Sequence, residues 1–334
     1  MRRILITGGA GFVGYHLALR LSGEPSSRLI LVDNLARGKM DEELKSLIAK
    51  PNVRLIRGDL TDRRTYKRLG TGFDEVYHLA AVVGVGIVVD KPQEVLRINA
   101  MSTLYLLEWF ASGGGKKLLF SSTSEAYAWT NFFHKLPLPT PEDVPLSLTS
   151  LDNPRSSYAG SKIFGELAVT QYCDIYKKPF VIIRYHNIYG PRMGYEHAIP
   201  QIYHRAFGGQ NPLVVYSANH TRTFCYVSDA VDGTIAAMRA RRADGGTFNI
   251  GSDKEELSIG RLAKLILKKA GIKAGIEPRV YVRDPITRRC PDLSRAKRVL
   301  GYRPSVCLDE GLGPTIDWYK NRFRKKATAL LKGW

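Results

Sequence analysis

The chain has 334 residues, 44% hydrophobic and 24% charged, a balance that fits a globular protein with a large core and argues against disorder. Its 50 Lys and Arg against 31 Asp and Glu leave a formal charge of +19, which suits anionic partners. No basic motif interleaved with aromatics stands out and no apolar run has the length of a membrane span, so we expect no nucleic acid and no membrane span, but a basic surface serving a phosphorylated ligand.

In chain order, Arg3–Thr7, Leu29–Asp33, Val53–Arg57, Glu75–Leu79, Lys117–Ser121 and Phe180–Tyr185 read as short strands, each β-branched or leucine-rich. Amphipathic stretches lie between them, among them Val95–Phe110 and Ser157–Tyr176. This alternation predicts repeated right-handed βαβ units in a doubly wound parallel α/β sheet. After about Gly190 the pattern loosens into proline-containing loops, a helix near Ile259–Ala270 and a tail rich in Arg, Pro and Gly. We therefore expect a dinucleotide-binding domain over residues 1–185, to which residues 222–250 return, and a smaller substrate-binding lobe over 186–334. The first residues run straight into a strand pattern, so no signal peptide is expected. The cysteines, Cys173, Cys225, Cys290 and Cys307, form no CxxC pair; no metal site or disulfide framework is expected, and a reducing cytoplasm is the default.

Directly after the first strand, Gly8, Gly11, Phe12, Val13 and Gly14 lie in a GxxGxxG spacing that opens a helix. Glycines there let the backbone approach a pyrophosphate, and free amides at a helix start favour its negative charge. The second strand ends in Asp33, followed by Asn34, where a carboxylate would hydrogen-bond the adenosine ribose diol and repel a 2′-phosphate. NAD is thereby favoured over NADP, with Arg37 nearby weakening the preference without reversing it. Asp59-Leu60 after the third strand and Leu79-Ala80-Ala81 closing the fourth fit the same site, the small residues allowing close approach and Asp59 able to accept from adenine. His78 reads as a packed strand-end residue rather than a catalyst.

Tyr158 and Lys162 stand four apart on a helix and so share a face. A nearby ammonium, and the charge of a bound nicotinamide, would lower the phenol pKa, so that Tyr158 takes the proton of a sugar hydroxyl while hydride leaves for NAD. Thr123, just past the fifth strand, would share that proton. Glu125 lies two residues further on, as a catalytic carboxylate or as the anchor of a loop. The basic residues clustered over 283–298 are consistent with an anionic ligand.

Taken together, GxxGxxG, Asp33, Asp59-Leu60, Thr123, the Tyr158–Lys162 pair and Arg184-Tyr185-His186-Asn187-Ile188-Tyr189-Gly190-Pro191 resemble the extended short-chain dehydrogenase/reductases, within them the NAD-dependent nucleotide-sugar epimerase/dehydratase group. The resemblance covers nearly the whole chain. It implies a Rossmann sheet, tightly held NAD that is reduced and reoxidised within each turnover, a 4-keto sugar intermediate and a homodimer. It also implies that Asn99 supports the active-site helix, that Tyr185 lies against the cofactor, and that Ser124, Asn187, Arg192, Arg222 and Arg289 bind the nucleotide sugar.

A 4-keto sugar can be reduced from its other face, can lose water, or can lose CO2 when C6 is a carboxylate. Thr123-Ser124-Glu125 resembles UDP-glucuronate decarboxylases, whereas dehydratases resemble Thr-Asp-Glu, so the Asp that expels water is missing. Tyr189-Gly190-Pro191-Arg192-Met193 and Arg289-Cys290-Pro291-Asp292-Leu293 are decarboxylase-like as well. The chain departs from that pattern at His186, where an aromatic is usual, in the short segment after Met193, and in an insertion over 129–135. Decarboxylation of a UDP-sugar is the leading expectation. UDP-sugar 4-epimerisation, a 4,6-dehydratase and, outside enzymes, an NAD-bound regulator remain as alternatives.

Overall fold

Seven strands form one parallel sheet: β1 (Arg2–Thr7), β2 (Ser27–Asp33), β3 (Val53–Arg57), β4 (Phe73–His78), β5 (Gly115–Thr123), β6 (Phe180–Tyr185) and, after the short strands β7 (Ile188–Tyr189), β8 (Leu213–Tyr216), β9 (Thr221–Thr223) and β10 (Cys225–Tyr226), β11 (Thr247–Ile250). The computed structural model describes residues 1–127, 130, 136–148, 150–280 and 287–331. Apart from Thr130, the insertion over 129–135 lies outside the described residues.

Strand order β3-β2-β1-β4-β5-β6-β11 follows from the βαβ rule: the chain winds outward from β1 on one side, then restarts at β4 on the other. The reversal leaves a crevice between β1 and β4 at their carboxyl ends. The strands are apolar because helices cover both faces. Ile4, Ile6, Leu29, Leu31 and Tyr77 pack in one core with the helices Phe12–Ser22 and Val227–Arg239. Leu5, Val76, Leu118, Phe120 and Ile182 pack in the other with Pro92–Trp109 and Ser156–Ile175.

A third core, built on Tyr189, Tyr203, Leu262, Ile266, Leu312, Ile316 and Tyr319, is enclosed by the helices Ala198–Phe207, Ile259–Ala270 and Leu308–Leu331. Local chemistry sets one of these boundaries cleanly. The Ser258 side chain caps the second helix by accepting from the Arg261 amide (3.2 Å), and Gly271 ends it in the left-handed region at φ 68°. Beside this core, β9 stands between β12 (Glu256–Ser258) and β14 (Arg288–Arg289), and β8 pairs with β13 (Ile276–Arg279). Parallel pairing of β14 with β9 sets Arg289 beside Arg222.

Candidate active site

The turn after β1 is shaped by lack of space. Gly8 sits at φ 70°, and a Cβ there would lie 2.9 Å from the Ala80 amide nitrogen. A Cβ on Gly14 would run into the Gly8 carbonyl. Thr7 ties the two central strands: its hydroxyl lies 2.8 Å from His78 Nδ1 and accepts from the Ala80 amide at 3.2 Å. The helix that follows starts at Gly11 with no side-chain cap and no acid in its first turn, so its leading amides are left for an anion. Phe12 and Val13 are half-buried behind them.

Asp33 is held in place by the Ala10 amide (3.0 Å) and the Leu35 amide (2.8 Å). Burial raises its carboxyl pKa while these backbone donors pull the other way. Asn34 is exposed and accepts from the Ala36 amide at 3.0 Å. The loop then lies back on the glycine turn, with Gly38 so close to Ala10 that a Cβ would stand 2.6 Å from the Ala10 Cβ. Asp59 is exposed and its carboxylate accepts from the Thr61 amide and hydroxyl, each at 2.8 Å, beside buried Leu60. Half-buried Leu79, Ala80 and Ala81 line the β4 end.

At the ends of β5 and of the helix Ser156–Ile175, Tyr158 and Thr123 share a hydrogen bond. The Lys162 ammonium is buried, donates to the Ser121 carbonyl at 2.7 Å and lies over the Phe120 ring. Burial pushes the Tyr158 phenol up to about 12, and Glu125 adds to the rise, while the Thr123 hydrogen bond and Arg37 oppose it. Burial likewise pushes Lys162 down to about 8. Burial thus favours the protonated phenol, and positive charge brought close to it would lower its pKa. Asn99 locks this helix: its amide donates to Ser161 Oγ (3.0 Å) and the Val82 carbonyl (3.2 Å) and accepts from the Val82 amide (2.7 Å).

Glu125 reaches across to β14 and pairs with Arg289, with Arg155 Nη2 at 3.8 Å on its other side. Burial would raise its carboxyl pKa, but Arg289, Arg155 and Arg222 outweigh that and hold it below the usual range. Three arginines around one carboxylate leave a net positive site, suited to further anionic groups. Buried Arg222 donates to the carbonyls of Thr221 (2.8 Å) and Thr287 (3.2 Å). Buried Ser124 precedes Glu125, and the Asn187 amide donates to the Thr223 carbonyl at 2.9 Å.

A family model described as the NAD dependent epimerase/dehydratase family matches residues 4–251. The chain belongs to this family. It is 36% identical to the UDP-N-acetyl-alpha-D-glucosaminuronate decarboxylase of Bacillus cytotoxicus, over 96% of this chain and 98% of that protein. It is 34% identical to UDP-glucuronic acid decarboxylase 3 of Arabidopsis thaliana, over 93% and 86% respectively. Among solved structures it resembles UDP-glucuronic acid 4-epimerase from Bacillus cereus in complex with UDP-glucuronic acid and NAD, with a TM-score of 0.84, 28% identity and coverage of 96% of this chain and 99% of that one. The seven-stranded doubly wound sheet matches that architecture.

As an NAD-dependent member of the epimerase/dehydratase family, the protein has a site that fits its cofactor: an uncapped helix start for the pyrophosphate, a fixed carboxylate at the β2 end, and a switch-point crevice between them. One residue read from sequence stands elsewhere. Arg192 does not face the substrate site. Its guanidinium lies within 2.6 Å of both Asp41 carboxylate oxygens and 2.7 Å from Glu43, over the Tyr15 ring, so its charge is already neutralised. The Tyr185 hydroxyl is 2.7 Å from Thr234 Oγ1, on the helix Val227–Arg239, which leaves only the ring for contact with a cofactor.

Sequence reasoning missed Arg155, whose signal was its place three residues before Tyr158. It also missed the network behind Glu125. Arg184 forms a buried bidentate pair with Glu166 (2.8 and 2.6 Å) and donates to the Tyr127 hydroxyl at 2.8 Å. Tyr127 in turn donates to Asn249 Oδ1 at 2.9 Å. The Asn249 amide is spent on the carbonyls of Thr140 (3.0 Å) and Asp292 (3.1 Å), so its oxygen must accept from His186 Nε2 at 2.9 Å. His186 is thus a buried ring tilted at 31° against Tyr127 with centroids 5.9 Å apart, and burial pushes its pKa down to about 4. His78 is a packed strand-end residue in the same sense, pushed down to about 3.

Proposed function

We propose that the protein decarboxylates a UDP-linked hexuronic acid, UDP-glucuronate or its 2-acetamido counterpart, through a 4-keto sugar. The observation that carries this reading is the ionised Glu125 paired with Arg289 beside Tyr158, in a Thr-Ser-Glu segment with no Asp to expel water. The names of the two decarboxylases above support it.

NAD, when bound, accepts the C4 hydride and later returns it. Tyr158 takes the O4 proton, with Thr123 holding that oxygen through the shared hydrogen bond. The new C4 ketone is beta to the C6 carboxylate, so breaking the C5–C6 bond sends its electron pair into a C4–C5 enolate and releases CO2. A proton must then reach C5 before Tyr158 returns its proton to O4. Arg289 first holds the sugar carboxylate and then stabilises the enolate charge, while Glu125 keeps the guanidinium in place and positions the water that delivers the proton. Arg222, beside Arg289 on the neighbouring strand, is the diphosphate clamp, with Asn187 and Ser124 lining the same cleft. Residues 1–185 and 222–250 serve the dinucleotide, and most of 186–334 serves the nucleotide sugar.

Mass spectrometry of UDP-glucuronate incubated with the purified protein tests this. A nucleotide sugar lighter by CO2 supports the reading, and an unchanged mass for both uronates removes it. A second reading, 4-epimerisation, draws on the likeness to the Bacillus cereus epimerase and would appear as a new stereoisomer at unchanged mass.

We further infer a homodimer formed through the helices Pro92–Trp109 and Ser156–Ile175. Their outer faces expose Leu96, Phe164 and Leu167, at 46%, 38% and 59%. Sedimentation tests it: the wild type runs as a dimer, and Leu167→Glu shifts it toward monomer. A cytoplasmic location fits four cysteines that are all free thiols. No described helix is long and apolar enough to cross a membrane.

A further inference from the structure

Arg192 is unusual in three respects. Its backbone sits at φ 70°, a region a non-glycine residue keeps only when its surroundings hold it there. Its side chain is 6% exposed, yet it carries a full charge. Its partners come from distant parts of the chain. Asp41 lies within 2.6 Å and Glu43 at 2.7 Å, both from the segment after β2. Arg322, from the last helix, donates to the same Asp41 at 2.9 Å, and the Trp318 indole N–H donates to Glu43 at 2.7 Å. Two arginines and two carboxylates cancel, so the cluster has no charge to spare for a substrate phosphate.

The position of the cluster gives it a role. Asp41 closes the loop that begins at Asp33, and Gly38 within that loop rests on Ala10 of the glycine turn. Arg192 itself follows Pro191, whose carbonyl lies 2.9 Å from His16 Nε2 on the helix that starts at that turn. Its guanidinium lies 4.1 Å from the centre of the Tyr15 ring on the same helix. Arg37 adds a second strap, donating to the Val83 carbonyl across the crevice. Loop 34–41 is thus pinned at one end by the Asp33 carboxylate and at the other by Arg192.

We infer that Arg192 is a positioning residue for the cofactor: through Asp41 it holds loop 34–41 down on the glycine turn and so keeps NAD bound between turnovers. An enzyme that reduces and reoxidises the same NAD gains from slow release, because loss of the reduced cofactor would strand the keto sugar. The inference rests on NAD being the resident cofactor and not on which sugar is processed.

The test follows NAD release from purified holoenzyme after dilution into an NAD-consuming scavenger, with no sugar present. Arg192→Met and Asp41→Asn should each release NAD about tenfold faster or more, the scale on which losing one charge-assisted hydrogen bond shifts an equilibrium. Asp41→Asn keeps an oxygen for the Leu44 amide, which Asp41 caps at 3.0 Å, so the helix start is preserved. Arg192→Lys, which restores a cation to the same carboxylates, should fall between wild type and Arg192→Met. If Arg192→Met fails to fold, Asp41→Asn and Trp318→Phe decide the matter. Release unchanged in the folded variants, with only the melting temperature of the cofactor-free protein lowered, would make the cluster merely structural and overturn the inference.

Discussion

Tyr158 shows how environment sets the task of one side chain. Its phenol is pushed up to about 12 by burial, which favours the neutral form, and in the proposed mechanism the charge of a bound nicotinamide prepares it for proton abstraction. Removing the hydroxyl should therefore abolish the oxidation step rather than binding. Tyr158→Phe should lower kcat by about 100-fold or more while leaving bound NAD and the sugar KM near wild type. Stopped-flow absorbance of the reduced cofactor checks this, and an unchanged rate of reduction would remove Tyr158 as the base. Thr123, Glu125, Tyr158 and Lys162 were legible as candidates because spacing along a strand end or a helix turn constrains them, whereas Arg222 and Arg289 were legible only through the family resemblance. Arg192 was misplaced, since its partner Asp41 lies 151 residues away and nothing local reveals that pairing. Arg155 was overlooked because its reach to Glu125 depends on where the helix starts.

At the scale of elements, periodicity located the sheet strands β1 to β6, and long-range pairing set their ends. The β5 strand runs to Thr123, two residues beyond its predicted end, because pairing with β6 continues through Ser122 opposite Arg184 and Thr123 opposite Tyr185. That extension fixes the direction of Thr123. The same β6 strand carries Arg184, whose pair with Glu166 fastens the sheet to the helix bearing Tyr158 and Lys162. Both groups are buried, so removing one strands the other's charge. Arg184→Met should cost about 3–5 kcal/mol in urea unfolding. A loss under about 1 kcal/mol would mean that the pair does not hold the helix.

For the whole molecule, buried histidines couple stability to pH. His78 and His186 are pushed down to about 3 and about 4 by burial, against about 6.5 in an unfolded chain. The unfolded state therefore binds more protons below about pH 6.5, so their stabilising contribution is complete above that pH and fades as pH falls toward their folded values. His186→Phe should flatten the rise of unfolding free energy between about pH 4 and 6.5 by roughly 1.4 kcal/mol per pH unit, read from urea melts across that range. An unaltered slope would mean that His186 is charged in the folded protein.

Fold, cofactor and family rest on features spread along the whole chain, from the glycine turn to β14. The net reaction rests on a few groups around Glu125. Its most direct test is UDP-glucuronate labelled in its carboxyl carbon, turned over in deuterated water and followed by NMR. The account predicts labelled CO2 together with one deuterium at C5 of a UDP-pentose, and neither product from Tyr158→Phe. Deuterium-free epimer with the label still in the sugar would contradict it.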